Sequence, residues 1–541
     1  LALRKSIPVS WKPEGLSEAP SMDLGFPGCM SSLQNLIPDP GSNGLWQCRP
    51  ADVRLTNFTG FNTPGFISCL LVVGTRIYGM IASAANTGHD EPFVYDTTSS
   101  TFIAITGATA ANTPTSPATS GAWTPPVMCL VGGKILVAHP GFNQAGGYFF
   151  GVLDINNPAA PTWSAGTLTG AVTLPALPIS IAQFSGRAYY AVENALVFSD
   201  TNDPINCTAG TQVLTLGTNQ TITALIGMPL QNQVQGGIIQ SLIAFVGDII
   251  MYQVTGDAAL STLSLNQLNV ATGTYSQLSV CATPIGICFI SPEGVRFINS
   301  TAAVSEPLGN YGKGLARIFY NAVTPTRIVV AYAGDEIRVS LQNALVSGNP
   351  NQEYFYHMSG KRWSGPHTFP ASLIQGLGSQ FIKVPIEVTA SLWQAVTIPN
   401  STSGFVENGS QLQFGFETPL LPTTDDMSMH SVVEQTINLQ MSSTDNYSFF
   451  VYDELNNLLA STTINIGAVP TIWGSFTWGA APWAGTVEAY ATYALDYAIP
   501  IVFKRAYFAG KGNSSPVFRL GSFDTRIEKL GYKLNYSAVG A

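Results

Sequence analysis

Charged side chains are scarce in this chain. Of its 541 residues 32 are acidic and 23 basic, 10% of the sequence, against roughly 25% in an ordinary soluble domain. A highly charged low-complexity tail is thereby excluded. A disordered chain is excluded too, because 45% hydrophobic and 11% aromatic residues can bury a sizeable core. Long apolar runs are also missing. A membrane helix needs roughly 18 residues, and the best stretch, residues 238–254, is interrupted by Gln240 and Asp248. No membrane span is expected. The opening LALRKSIPVSW meets Pro8, Ser10 and Trp11 before an apolar core forms, so no signal peptide is expected. The seven cysteines (29, 48, 69, 129, 207, 281 and 288) are odd in number, contain no CxxC pair, and bring only Cys281 and Cys288 close together. They read as buried free thiols of a protein made in a reducing cytoplasm.

Catalytic and metal-binding signatures are equally thin. There is no G-x-S-x-G elbow, and the five histidines (89, 139, 357, 367 and 430) lie far apart in the chain. There is no H-x-x-x-H and no EF-hand loop. The nearest paired carboxylates are Asp425-Asp426 and Asp200/Asp203, the residue type that glycosidase acid/base work requires. Ser199-Asp200-Thr201-Asn202-Asp203-Pro204 reads instead as a hydrogen-bonded turn, because Asp and Asn bond to their own backbone there and Pro ends a strand. Gly309-Asn310-Tyr311-Gly312-Lys313-Gly314 lacks the spacing of a phosphate-cradling loop and reads as a connector. The cluster Trp473, Trp478 and Trp483 reads as anchors for a subunit contact, with sugar or base stacking as the other possibility. No catalytic residue, cofactor-binding residue or metal ligand is assigned, and no cofactor is expected.

The charges that exist are unevenly spread. Between Thr101 and Cys288 the basic residues are Lys134 and Arg187, against six acidic ones. From Phe503 onward Lys504, Arg505, Lys511, Arg519, Arg526, Lys529 and Lys533 face Asp524 and Glu528, a net of +5 that leaves −14 for the rest. A surface so poor in charge is either neutral polar or covered by neighbouring subunits. Gripping phosphates needs clustered Lys and Arg, which the middle of the chain lacks.

A strand, a glycine turn and a second strand recur: LLVVGTRIYGMI from Leu70, MCLVGGKILVA from Met128, IAQFSGRAYYAV from Ile181, LIAFVGDIIMYQV from Leu242, ICFISPEGVRFI from Ile287 and VVAYAGDEIRVSL from Val329. The turn glycines 74, 132, 186, 247, 294 and 334 are 58, 54, 61, 47 and 40 residues apart, averaging 52. Glycine supplies the positive φ of a hairpin turn, and a period near 50 suits a four-stranded propeller blade. Five to seven blades are expected, with a pair of meandering sandwiches as the competing arrangement. After about Pro370 the texture changes to period-two segments at 411–416, 436–441, 447–452 and 458–466, with Asn456-Asn457 as a hairpin turn. The fold class is therefore mainly β: a β-propeller followed by an antiparallel β-sandwich-like domain. The divisions are residues 1–60 as an N-terminal platform segment, 61–370 as the propeller and 371–541 as the C-terminal β domain. Residues 27–37 and 315–323 are the only helix candidates.

Several stretches together resemble the tail nozzle or hub proteins of short-tailed bacteriophages (podoviruses), the tail tubular protein B-like family. They are Leu33-Gln34-Asn35-Leu36-Ile37-Pro38-Asp39-Pro40-Gly41 with Cys48-Arg49-Pro50, and Phe184-Ser185-Gly186-Arg187-Ala188-Tyr189-Tyr190 with Ser199 to Pro204. Ile290-Ser291-Pro292-Glu293-Gly294-Val295-Arg296-Phe297, Glu417-Thr418-Pro419, Phe503-Lys504-Arg505 and Leu530-Gly531-Tyr532 complete the set. The resemblance implies a non-enzymatic virion part: a propeller with a platform built from both chain ends, assembling into a ring of six around the DNA exit channel. It implies portal or adaptor and tail fibre or spike proteins as partners, and a place in the virion tail after assembly in the host cytoplasm. Genomic DNA would pass through without sequence-specific binding, a role that a weakly charged, acidic body suits because it repels phosphate. The competing function is a propeller that binds or degrades glycans.

Overall fold

A computed structural model of the chain describes residues 6–11, 29–40, 44–58, 66–83, 88–116, 124–231, 238–258, 262–299, 301–308, 315, 322, 324–342, 351–386, 391–397, 404–421, 429–441, 445–465, 489–497 and 499–530. The helical segments described in full are short 3-10 turns, Gln144–Gly146, Gln277–Ser279 and Pro325–Arg327. None is long and apolar enough to cross a membrane.

The described strands build a β-propeller. Six antiparallel sheets follow one another along the chain, each a meander that starts at the centre. Their first strands, Ile67–Val73, Val127–Val131, Ser180–Phe184, Ile222–Gln231, Val280–Thr283 and Val329–Ala333, lie side by side around one axis. A seventh sheet closes the ring. Its first strand, Ala371–Leu377, sits between Val329–Ala333 and Ile67–Val73, and its fourth is the N-terminal strand Val53–Asn57, paired with Ser391–Val396. The closure therefore joins two distant parts of the chain.

Blade packing explains why these strands read as nearly continuous apolar runs. Successive side chains on a strand point to opposite faces, and each blade is covered on both. In Arg187–Val192, Ala188, Tyr190 and Val192 enter the core shared with the second blade, while Tyr189 and Ala191 enter the core shared with the fourth. In Ile238–Val246, Leu242, Ala244 and Val246 face the third blade, and Ile243 and Phe245 face the fifth. Full burial of one such large apolar side chain contributes about 1.5–3 kcal/mol. On the innermost strands room is tight: a Cβ on Gly227 would lie 2.4 Å from the Gln183 carbonyl oxygen, and one on Gly376 2.0 Å from that of Tyr332. Glycine is the residue that lets those inner strands converge.

Apart from two small two-stranded pairings, Thr169–Gly170 with Asn206–Cys207 and Val406–Glu407 with Ser410–Gln411, the remaining strands form a sandwich fused to the sixth blade. That blade's outer strand, Arg362–His367, pairs through Gly365 with Leu33 of Ser32–Gln34, and the same sheet continues through Gln413–Glu417, Ala506–Asn513, Asn446–Asp453 and Leu458–Asn465. The facing sheet runs Leu36–Pro38, Trp46–Cys48, Arg519–Lys529, His430–Met441 and Ala489–Ala494, with Ser6–Trp11 added to Arg519–Lys529. Between the two sheets are Trp46, Phe414, Phe416, Tyr447, Phe449, Phe508, Phe518 and Phe523.

Several expectations shift in detail. The glycine turns at 74, 132, 186 and 334 join the first and second strands of their blades, but those at 247 and 294 join the second and third. That slip by one hairpin is the source of the uneven intervals. A seventh copy, at Gly378 between Ala371–Leu377 and Gln380–Pro385, falls beyond the expected end of the propeller. The seventh blade thus takes residues 371–396 from the expected C-terminal domain and Val53–Asn57 from the expected platform. Residues 32–38 form two short strands hinged at Asn35 (φ 55°) rather than a helix, because both pair with other strands. The second helix candidate, 315–323, lies almost entirely outside the described residues. So do Asp425-Asp426, Gly309 to Gly314 and the tryptophan cluster at 473–483.

Candidate functional site

Two concavities and one buried ionic cluster stand out. The first concavity, about 340 Å³, lies on the propeller axis and is lined by inner-strand residues including Leu70, Val127, Met128, Ile226, Val330 and Ile374. No Asp, Glu, Lys, Arg or His lines it, and its ionisable side chains are the thiols of Cys69 and Cys281 and the phenol of Tyr332. The turn Gln277–Ser279 crosses beside it. Gln277 Oε1 accepts from Ser180 Oγ (2.6 Å) and from the Leu225 amide (2.7 Å), and its Nε2 donates to the Leu225 carbonyl (3.0 Å). Leu278 packs against apolar groups of the first, sixth and seventh blades. A single turn thereby ties the blades together across the axis.

The second concavity, about 470 Å³, lies on the seam between propeller and sandwich, and Asp39, Asp335, Glu336, His357 and Arg362 are among its lining residues. Behind it sits the ionic cluster. Arg49 holds Glu407 with both terminal nitrogens (2.9 and 2.7 Å) and donates its Nε–H to Asn35 Oδ1 (2.9 Å). Lys383 Nζ donates to Asp52 Oδ2 (2.6 Å) and Glu353 Oε2 (2.8 Å). Arg338 donates its Nε–H to Glu336 Oε1 (2.5 Å), lies 3.8 Å from Asp52, and stacks its guanidinium on Phe355 and Phe381. All seven ionic side chains are buried.

The seven members come from four separate stretches: Arg49 and Asp52 from the link before Val53–Asn57, Glu336, Arg338 and Glu353 from the sixth blade, Lys383 from the seventh, and Glu407 from the hairpin after the propeller. The cluster thus rivets the ring's closure to the sandwich. Its three cations face four carboxylates. Burial alone would raise the Asp52 carboxyl, but Lys383, Arg49 and Arg338 hold it below the usual carboxylate range. Burial raises Glu336 despite Arg338, so the surplus carboxylate is the one eased toward its neutral form.

Two histidines extend the cluster. The Asn35 amide donates to His367 Nδ1 (3.0 Å), which leaves His367 Nε2–H to donate to Ser364 Oγ (3.0 Å). Ser364 then donates to His357 Nε2 (3.2 Å), and His357 Nδ1 lies 3.5 Å from Glu336 Oε2. Burial, with Arg338 and Arg362 adding to it, lowers His357 to about 3, and burial with Arg49 lowers His367 well below its usual range. Both rings are therefore neutral donors and acceptors. The order Ser364, His357, Glu336 mimics a hydrolytic triad, but Ser364 is fully buried and does not line the seam concavity. A second acid–imidazole pair, Asp90 with His139 Nε2 (3.1 Å), uses the other ring nitrogen to accept the Gly141 amide (3.0 Å). Neither imidazole presents a free nitrogen to a reachable hydroxyl among the described residues. No group of three or more metal-ligating side chains gathers among them either.

The Ser199 to Pro204 segment is the turn its composition predicts. Asp200 Oδ1 accepts from Gln212 Nε2 (2.9 Å) and the Thr208 amide (3.3 Å), so its carboxylate is occupied in bracing a connection. Sequence reasoning missed the ionic cluster itself. Its signal was there: Glu336, Arg338, Glu353 and Lys383 are charges set inside apolar strand runs of a charge-poor chain.

No family model and no curated protein matches the sequence. Solved structures with a similar arrangement include the WD40 repeats of RRP9, at 10% identity and a TM-score of 0.36, with 64% of this chain and 98% of that one covered. A puromycin-hydrolyzing peptidase of Mycobacterium tuberculosis aligns at 9% identity and a TM-score of 0.38, with 67% of this chain covered. A puromycin hydrolase variant aligns at 11% identity and a TM-score of 0.36, with 68% of this chain covered. The match spans 58% and 59% of the two peptidases.

Proposed function

We propose that this chain is a structural subunit of a short-tailed bacteriophage tail, a nozzle or hub that assembles as a ring, of six copies, and continues the path by which the genome leaves. One observation carries the reading. Where the second sheet of the sandwich ends, Met429, Val433, Ile499, Val502 and Leu530 are 37–59% exposed. They are neighbours: the Leu530 amide bonds to the Met429 carbonyl, and Val502 lies opposite Ser431 in register. Exposed Lys504, Arg526 and Lys529, with Glu434 paired to Arg526, rim the same end. An apolar centre with a charged rim is the anatomy of a subunit interface. These cations belong to a C-terminal stretch of net +5, from Phe503 onward, while the residues before it sum to −14, so the complementary surface is another copy of the same chain, repeated until the ring closes.

The remaining features agree with a part that holds rather than reacts. The axial concavity has no charge on its wall and is crossed by the Gln277–Ser279 turn, so DNA would pass along the ring's own axis and not through one propeller. A mostly neutral, acidic body would let that DNA slide, since it offers few counterion-releasing contacts. Portal or adaptor proteins on one side and fibre or spike proteins on the other are the partners this reading requires. A glycan-cleaving propeller would set carboxylates at the axial cavity, and no Asp or Glu lines that cavity among the described residues. Val433→Asp and Val502→Asp, which put a charge at the centre of the exposed end, test the reading by native mass spectrometry. The expected result is a ring for the parent chain and folded single chains for the variants. Single chains for the parent, or rings for both variants, would overturn it.

A further inference from the structure

The fifth blade carries a pair of thiols that the ring reading does not use. Val280–Thr283 and Gly286–Ser291 form a hairpin whose register sets Cys281 directly opposite Cys288. Opposed residues on antiparallel strands point to the same face, about 4.5–5.5 Å apart at Cα, and a disulfide spans about 4.4–6.8 Å. The packing confirms the shared face. Cys281 and Cys288 both meet the core shared with the sixth blade and the sandwich, while Val280, Ile287 and Phe289 meet the core shared with the fourth blade. The two thiols are hydrogen-bonded to each other and unlinked. Cys281 is half-buried and lines the axial cavity of about 340 Å³, whereas Cys288 is fully buried behind it. The fifth blade also has three described strands where each of the other six has four.

We infer that Cys281 and Cys288 are a site of reversible oxidation, closing to a cross-strand disulfide that ties the innermost strand of the fifth blade to its neighbour when a small disulfide enters the axial cavity. Cys281 is the attacking thiol because it is the one in reach. Its thiol gives a proton to solvent, and the thiolate sulfur bonds to one sulfur of the incoming disulfide, whose S–S bond breaks and releases one thiolate. The Cys288 sulfur, losing its own proton, then bonds to the Cys281 sulfur and expels the second thiolate. Two protein thiols are oxidised, one small disulfide is reduced to two thiols, and the exchange reverses with a reducing dithiol. Burial pushes the Cys288 thiol well up, so the second step is slow, and its rate depends on the sulfur already being in contact.

The test uses the full chain and hydroxyethyl disulfide. After incubation, free thiols are alkylated in denaturant, and the intact mass and cysteine peptides are read. The expected product has lost about 2 Da, two hydrogens, with five alkylated cysteines in place of seven and one peptide linking 281 to 288. Cys288→Ser should stop at a mixed disulfide on Cys281, and Cys281→Ser should leave Cys288 unmodified. A parent chain that keeps all seven thiols overturns the inference. So does one that stops at the adduct on Cys281, or links Cys281 to Cys69, which lines the same cavity. Because the parent chain alone decides the matter, a variant that fails to fold does not.

Discussion

Replacing Lys383 with methionine removes the central cation of the ionic cluster and nearly preserves its volume. In the parent chain its ammonium, fully buried, donates to Asp52 at 2.6 Å and to Glu353 at 2.8 Å. The two carboxylates fare differently once it is gone. Asp52 keeps Arg49 at 3.7 Å and Arg338 at 3.8 Å. Glu353 loses its direct ion pair and keeps only the more distant attraction of Arg49 and Arg338, its second oxygen already being without a hydrogen bond. Each charge-assisted bond is worth about 1.5–3 kcal/mol, and breaking a buried pair from one side typically costs about 3–5 kcal/mol. We expect Lys383→Met to destabilise the chain by about 3–5 kcal/mol at pH 8, read by urea unfolding with tryptophan fluorescence. The deficit should shrink toward pH 4, because an orphaned buried carboxylate has its folded pKa raised, and its penalty disappears as the group protonates in both states. Adding Glu353→Gln should restore much of the loss. A single variant within about 0.5 kcal/mol of the parent, the range of an ordinary surface substitution, would refute the view that this cluster holds the ring's closure.

His357 makes the chain acid-sensitive. Its folded pKa of about 3 lies below the usual 6.5, so the unfolded state binds the extra proton as pH falls from 6.5 toward 3, and stability drops, by about 2 kcal/mol at pH 5. Unfolding midpoints across that window should slope downward, and His357→Gln should make the slope shallower, His367, also lowered by burial, supplying the remainder. Gly376→Ala forces a Cβ to 2.0 Å from the Tyr332 carbonyl oxygen, and should cost about 1–3 kcal/mol or more by calorimetry, whereas Gly378→Ala, with open space around its Cβ, should pay only the strain of its positive φ. Gln277→Met keeps the length of the side chain but leaves the Leu225 amide unpaired, and should cost about 1–3 kcal/mol in the same assay.

Much of this architecture is legible in the sequence because blade packing and strand pattern obey one rule. Strands covered on both faces must be apolar throughout, and their turns need glycine, so the units announce themselves. What escapes is the assignment of each copy to a hairpin. A glycine turn between first and second strands looks the same as one between second and third, and Gly247 and Gly294 are of the latter kind. The closing blade escapes for a different reason: half of its information lies at Val53–Asn57, more than 300 residues from Ser391–Val396, and no local pattern records that pairing. Asn456-Asn457 was readable as a turn, since Asn456 adopts positive φ and Asp453 caps it through the Leu455 and Asn457 amides. The ionic cluster was readable only as an oddity. Which charge answers which depends on the ring having closed.

Whether copies of this chain surround one another, as proposed above, is decided by mass photometry of the purified full chain over a rising concentration series. One discrete closed assembly is expected, with six-fold symmetry in electron micrographs of the same sample. A species that keeps the mass of a single chain up to the highest concentration would contradict it.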